Sequence, residues 1–308
     1  ATSLKNLLDE LSKNPNYKID LVLFHEGVHD QEDIPNDVRI IQVGNMAELI
    51  ALSQTESMRK NPVFGIIRLI CGGICKIFGH GKAYKCLFCF SKKLSGYDIA
   101  VSCSQSAPYH RLYGGCNEFV LNNIQAKKRI AFIHCDYVAY GINDQYSHNI
   151  YEKFDAIAVV SDSVGKVFLE EEPDFRRKTV TVRNCNNIDK IIRKSNEEPY
   201  EFDEKYLNII TVARPGREKG HIRTILGLKK MKDTGILFKW YLVGMSKSNA
   251  PEELLKGIEE NGLEEAIVFC GDQENPYRYM RNADVLLVPS IHEAAPMVFD
   301  EACILHLP

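Results

Sequence analysis

Residues 207–220 read LNIITVARPGREKG: an apolar run, then a turn holding Arg214, Pro215, Gly216 and Lys219, then the start of a helical pattern. Three more apolar runs follow at 237–243 (LFKWYLV), 268–271 (VFCG) and 283–289 (ADVLLVP). Helix-like periodicity lies between and after them, near 220–232, 250–261, 275–282 and 297–304. Short, nearly continuous apolar strands alternating with helices require a parallel sheet covered on both faces. Residues 206–308 therefore read as a doubly wound, Rossmann-like unit.

The first half repeats the pattern. A helical segment carries Leu4, Leu7, Leu8 and Leu11 on one face, and Asn14-Pro15-Asn16 stops it. Strand-like runs follow at 19–24, 38–43, 97–102, 129–134, 155–160 and 179–182. Residues 1–194 are thus expected to form a second α/β domain. The stretch 195–205 (SNEEPYEFDEK), with five acids and a proline, is expected to link the two. The chain opens on a helix where such a domain opens on a strand, and it stops just after a helix. Sequence is expected to be missing at both ends, the first strand included.

Composition narrows the function classes. The 308 residues are 45% apolar and 26% charged, the balance of a globular protein with two cores. A net charge of −3, with no recognition motif, argues against a nucleic-acid binder. Ten cysteines are too few for a disulfide scaffold, and no apolar run approaches the ~18 residues of a membrane span. A cytoplasmic enzyme is the expected setting.

Taken together, Arg214 with Lys219, Leu242-Val243-Gly244, Phe269-Cys270-Gly271, Ala283 to Ser290, and Glu293 with Glu301 resemble family 4 of the glycosyltransferases. These are group 1 type, retaining enzymes of the GT-B architecture, in which two Rossmann-like domains face a cleft. The family carries an arginine and a lysine five apart after the first strand of its nucleotide domain, and two glutamates eight apart near its end. Either pair alone reads as solvated surface; their order and spacing over about 100 residues carry the resemblance. It implies transfer of a hexose from a nucleotide-diphosphate sugar, a UDP-sugar by preference, to a saccharide or lipid-linked saccharide, without a metal ion or other cofactor. Surface-polysaccharide synthesis is the implied setting.

By the same resemblance, Arg214 and Lys219 bind the donor diphosphate, Glu301 the ribose, and Glu293 lies at the donor sugar. The chemistry agrees. Arginine grips phosphate oxygens bidentately, lysine adds a point charge, and a strand-to-helix turn offers backbone N–H groups. In the first half, Arg129 to Asp136 (RIAFIHCD) resembles the strand ending in a histidine near the donor sugar, which makes His134 the second catalytic candidate. Asp136, Asn184, Gly216 and Gly244 are further candidates for the cleft. Two positions depart from the family: Ala294 stands where glycine is usual after the first glutamate, and Ala213 where glycine commonly precedes the arginine. An altered approach of the backbone to the diphosphate is expected at Ala294.

Residues 58–93 carry Arg59, Lys60, Arg68, Lys76, Lys82, Lys85, Lys92 and Lys93 and no acid. Against an overall charge of −3, this +8 segment leaves the rest of the chain at −11. Mixed with isoleucine, leucine and phenylalanine, these residues suit peripheral contact with an anionic membrane, at the inner face of a cell membrane. An ordinary helix pair with a solvated basic face has the same composition. Cys71, Cys75, Cys86 and Cys89 with His80 match no common zinc spacing and read as reduced core cysteines. Two other functions remain open. One is a nucleotide-sugar 2-epimerase of the same fold, needing no acceptor. The other is a nucleotide-sugar-binding protein without turnover.

Overall fold

A computed structural model describes residues 2–25 and 34–308. The chain divides into two compact units, Ala1–Cys185 and Asn186–Pro308. The boundary falls before the expected linker: residues 186–194, expected in the first domain, belong to the second unit. There Asn186 donates to Asp300 at 3.0 Å and Asn275 to the Lys194 carbonyl at 2.7 Å. The linker itself is anchored by aromatic rings. Tyr200 stacks on Tyr279 with ring centroids 4.6 Å apart, and Phe202 meets Tyr241 at 4.7 Å. Tyr200 N–H also donates to the Arg278 carbonyl at 3.0 Å. Residues 195–205 thus pack on the second unit.

The first unit runs α1 (Thr2–Ser12), β1 (Asp20–Leu23), β2 (Arg39–Gln42), α2 (Asn45–Ala51), α3 (Gln54–Lys60), α4 (Pro62–Phe78), α5 (His80–Phe88) and β3 (Leu94–Ser102). It continues with α6 (Cys116–Asn123), β4 (Ile124–Ile133), α7 (Gln145–Tyr151), β5 (Ala156–Val159), α8 (Asp162–Glu171) and β6 (Thr179–Thr181). All six expected strands are present, and β4 begins five residues before its apolar run. They form two parallel sheets, β1-β2 and β3-β4-β5-β6, rather than one. Local sequence starts the helices: Ser53 and Glu56 close a capping box on α3, and Asn61 caps α4 with Pro62 in its first turn. Gly79, at φ +77°, ends α4 and opens α5.

The core between these helices and the sheets holds Cys71, Cys75, Tyr84, Leu87, Phe88 and Phe119. Cys86 and Cys89 are exposed, contrary to the expectation of core cysteines. Cys86 lies on the outer face of α5 and Cys89 just past its end, while Ala83, Tyr84, Leu87 and Phe88 take the inner face. Among the described residues no three His, Cys, Asp or Glu side chains are grouped to hold a metal.

Glu118 is buried here, its Oε1 3.8 Å from His80 Nε2. Burial pushes its carboxyl up to about 7, against a hydrogen bond from Tyr146 that favours the ionised form. A carboxyl raised from 4.5 stabilises the fold fully below pH 4.5 and loses that contribution as pH climbs through about 7. Glu118→Gln should therefore raise Tm at pH 8, by roughly 5 °C, and much less at pH 5. A shift of equal size at both pH values in a calorimetric scan would contradict this.

The second unit comprises α9 (Ile188–Ser195), β7 (Leu207–Val212), α10 (Ile225–Asp233), β8 (Phe238–Val243), α11 (Glu252–Glu260), β9 (Ile267–Gly271), α12 (Tyr277–Met280), β10 (Val285–Leu286) and α13 (Met297–Ile304). Its sheet is parallel throughout, in the order β10-β7-β8-β9. Alternate residues serve two separate cores: Ile209, Trp240 and Leu242 face one set of helices, and Ile210, Tyr241 and Val243 the other. That is the two-sided burial read from the unbroken apolar runs. Trp240 Nε1 donates to Thr211 Oγ1 at 2.9 Å, and Thr211 Oγ1 donates to the Leu287 carbonyl at 2.7 Å. Both polar groups are thereby satisfied inside the sheet.

Candidate functional site

Strand order in the second sheet reverses beside β7: the chain moves from β7 to β8 and β9 on one side, then returns to place β10 on the other. Connections leave such a point in opposite directions, and the crevice opens beyond the carboxyl ends of the two strands. The loops after β7 and β10 meet there. Glu218 O accepts from Ile291 N–H at 2.9 Å. Lys219 Nζ lies 2.7 Å from Glu293 Oε1, which also accepts from Ser290 Oγ at 2.7 Å. Lysine and glutamate are each about three-quarters buried, at 26% and 24% side-chain exposure.

Glycines allow two close approaches at this end of the sheet. Gly220 has φ +67°, and a Cβ there would stand 2.1 Å from the Pro289 carbonyl oxygen. Gly244, at φ +95°, would place a Cβ 2.7 Å from the Ala213 carbonyl. Gly216 is extended (φ −177°), a conformation open to any residue, and its carbonyl accepts from Lys219 N–H at 3.2 Å to close the turn. Arg214 is exposed on the same loop, and its side chain makes no hydrogen bond or ion pair with the described residues. Nearby Arg217 is paired with Glu253. Among the described residues, Lys219 and Arg217 are thus paired with carboxylates and Arg214 is not.

Glu301 lies on α13, and its Oε1 accepts from Tyr277 O–H at 3.0 Å. Burial pushes its carboxyl above the ordinary glutamate range, and Tyr277 opposes that shift. No side chain caps α13, whose first turn follows Pro296. Ala294 departs from the family pattern without strain. Among the described residues only Glu198 and His306 are non-glycine residues with positive φ. The backbone at 294 and 213 thus accepts a Cβ.

In the first unit, His134 follows β4 with its ring stacked on Phe132, centroids 5.3 Å apart and 13° between planes. Burial holds its imidazole below the ordinary histidine range, against a hydrogen bond involving the Cys103 backbone. His134 and Asn184 line one cavity of about 320 Å3, with Leu4 and Leu7 of α1, Cys103 and Phe132. That volume is within the range of small-ligand sites. Asp136 sits apart: its Oδ1 accepts from the N–H groups of Val138 and Ala139 at 3.0 and 2.8 Å, fixing a turn.

The structure thus brings together Lys219, Glu293 and the loop of Arg214, with Glu301 on the helix that follows. Ser290 and Tyr277, the partners of the two glutamates, had no signal in spacing; Ser290 lay in the quoted run and Tyr277 is 24 residues from Glu301.

The profile of the family described as "Glycosyl transferases group 1" matches residues 192–308. An uncharacterised glycosyltransferase of Methanocaldococcus jannaschii is 25% identical over 171 residues, 53% of this chain and 41% of the relative. The chain thus spans about two fifths of that curated relative's length. Among solved structures, a glycosyltransferase from Rickettsia africae superposes with a TM-score of 0.63 at 17% identity, over 99% of this chain and 73% of that one. HepE of Anabaena in complex with UDP gives a TM-score of 0.60 at 14% identity, over 100% and 75%. The same protein has also been solved with UDP-glucose. The fold is that of the GT-B glycosyltransferases.

Proposed function

We propose that the protein is a retaining, metal-independent glycosyltransferase that moves a hexose from a nucleotide-diphosphate sugar, a UDP-sugar by preference, to a saccharide acceptor. The observation that carries this reading is the meeting of Lys219, Ser290 and Glu293 at the strand-order reversal, beside the unpaired Arg214. Breaking the bond between the sugar's anomeric carbon and the β-phosphate oxygen leaves negative charge on the diphosphate. Cations brought beside that oxygen lower the barrier because that charge grows in the transition state. Lys219 reaches the diphosphate by leaving Glu293. The diphosphate replaces the carboxylate as the ammonium's partner, and Ser290 keeps its hydrogen bond to Glu293, so neither charge is left without a partner. Glu293, once released, becomes an acceptor for a hydroxyl of the transferred sugar.

Glu301 serves the ribose in this reading: a half-buried carboxylate held by Tyr277 accepts both sugar hydroxyls. His134 and its cavity in the first unit belong to the sugar-handling side. HepE, solved with UDP and with UDP-glucose, supports the choice of donor.

The test is release of nucleoside diphosphate from UDP-, ADP- and GDP-sugars, with and without a saccharide acceptor. One base should be preferred, and release should rise with acceptor. Glu301→Gln should raise KM for the donor by roughly 10-fold or more, the loss of a charge-assisted pair of hydrogen bonds. Acceptor-independent formation of a free, rearranged sugar would make the protein an epimerase. Binding without release would make it a non-catalytic nucleotide-sugar protein.

A further inference from the structure

Helix α4 is apolar on two opposite sides, and among the described residues only one of them packs inside the protein. Its inner side places Cys71 and Cys75 in the core, with Phe64, Ile67 and Ile74 packed against it. Arg68 is also drawn inward, its Nε donating to the Leu52 carbonyl at 2.7 Å. The outer side carries Val63, Ile66, Leu69, Ile70 and Ile77, at spacings of three, four and seven residues, and ends in Phe78. These six side chains are 53–72% exposed. A surface helix normally turns charge toward water, and a contiguous aliphatic face of this kind marks a contact.

The rim of the face is cationic. Lys76, Lys82 and Lys85 are exposed along α4 and α5, and Lys82 Nζ sits 4.4 Å from the centre of the Phe78 ring. Lys92 and Lys93 follow α5, beside an exposed Phe90, and Arg59 precedes α4. Lys60 is different: its ammonium is held by Glu48. Of the eight basic residues in 58–93, Arg68, Lys60 and Lys93 (its Nζ donating to the Asn122 carbonyl at 2.8 Å) are thus occupied by the protein, and the other five are exposed. The segment has no acid, whereas the remainder of the chain is at −11 within a total of −3.

We propose that the outer face of α4, with its lysine rim on α5, docks on an anionic phospholipid bilayer, the helix lying in the interface. The aliphatic row enters the boundary between headgroups and acyl chains while the lysines meet lipid phosphates, and aliphatic stems let the ammonium groups reach outward. Charge selects this occupant: a protein surface of ordinary mixed charge gives no reason for a segment without a single acid. At 17 residues with Arg68 near its middle, α4 is shorter than the ~20 apolar residues of a span. Among the described residues no helix is long and apolar enough to cross a membrane. The proposal is independent of the nucleotide-sugar reading, because lipid binding and donor turnover are read out separately.

Co-sedimentation with vesicles tests it. The protein should pellet with phosphatidylcholine vesicles containing about 30% phosphatidylglycerol and not with phosphatidylcholine alone, and raising salt from about 0.1 to 0.5 M should weaken binding. Lys82→Ala/Lys85→Ala should lower the partition constant roughly 25-fold, about fivefold per charge. Ile66→Asp/Ile70→Asp should abolish binding while circular dichroism and turnover on a soluble acceptor stay unchanged. Should that variant misfold, Leu69→Ser/Ile77→Ser tests the same face. Failure to pellet, equal binding to neutral vesicles, or indifference to both face variants would overturn the proposal. So would a dimer that the aspartates dissociate in the absence of lipid, which would assign the face to a second copy of the chain.

Discussion

Replacing Arg214 and Lys219 together by alanine should lower kcat/KM for donor consumption by at least 10³-fold, about 4 kcal/mol of transition-state stabilisation, with the fold intact. The two residues start from different states, which makes the single variants informative. Arg214 is exposed and unpaired among the described residues, so its removal subtracts a cation without disturbing the apo loop. Lys219 holds Glu293 at 2.7 Å, and its removal leaves a glutamate about three-quarters buried without its cation. Lys219→Ala should therefore cost stability as well as rate, and Arg214→Ala rate alone. Steady-state kinetics beside urea unfolding separates the two. A double variant within 10-fold of wild type would remove the diphosphate assignment.

The second large effect is expected at Gly220. Alanine there meets two penalties: a left-handed backbone at φ +67°, and a Cβ 2.1 Å from the Pro289 carbonyl oxygen. Main chain lies on both sides of that contact, so relief requires the two loops to part. Gly220→Ala should destabilise the second unit by about 3 kcal/mol. It should also reduce turnover roughly 100-fold, because Lys219 and Glu293 are carried on the separated loops. Gly216→Ala is the contrast: its backbone is extended, and the atoms its Cβ would meet belong to the flexible Glu218 side chain. A Gly220→Ala variant with wild-type unfolding and turnover would show that the close approach does not shape the site.

Much of the second unit was legible because its strands are buried on both faces, so their apolar runs are unbroken. Helix α13 was read to its ends, and β7 and β8 to within a residue. What was misread follows from contacts that local sequence does not record. The run 283–289 yields only Val285–Leu286 as strand, because only these two residues register with Ile209 and Ile210 of β7. Polar Gln125 to Lys128 hid the first half of β4, which pairs along the length of β3. The acidic character of 195–205 concealed two aromatic anchors. In the site, residue types and spacing were visible, but the Lys219–Glu293 pair spans 74 positions and depends on strand order. Periodicity marks strands without naming their neighbours. The same limit applies to α4: composition showed its charge and apolarity, and only packing showed which side is free.

Titration calorimetry of UDP, ADP and GDP into the wild-type protein and into Arg214→Ala/Lys219→Ala addresses the central claim most directly. Saturable binding of one nucleotide per chain, with UDP preferred, and loss of that binding in the double variant is the predicted result. Absence of heat with all three nucleotides, or equal affinity in wild type and variant, would contradict a diphosphate site at the junction of the β7 and β10 loops.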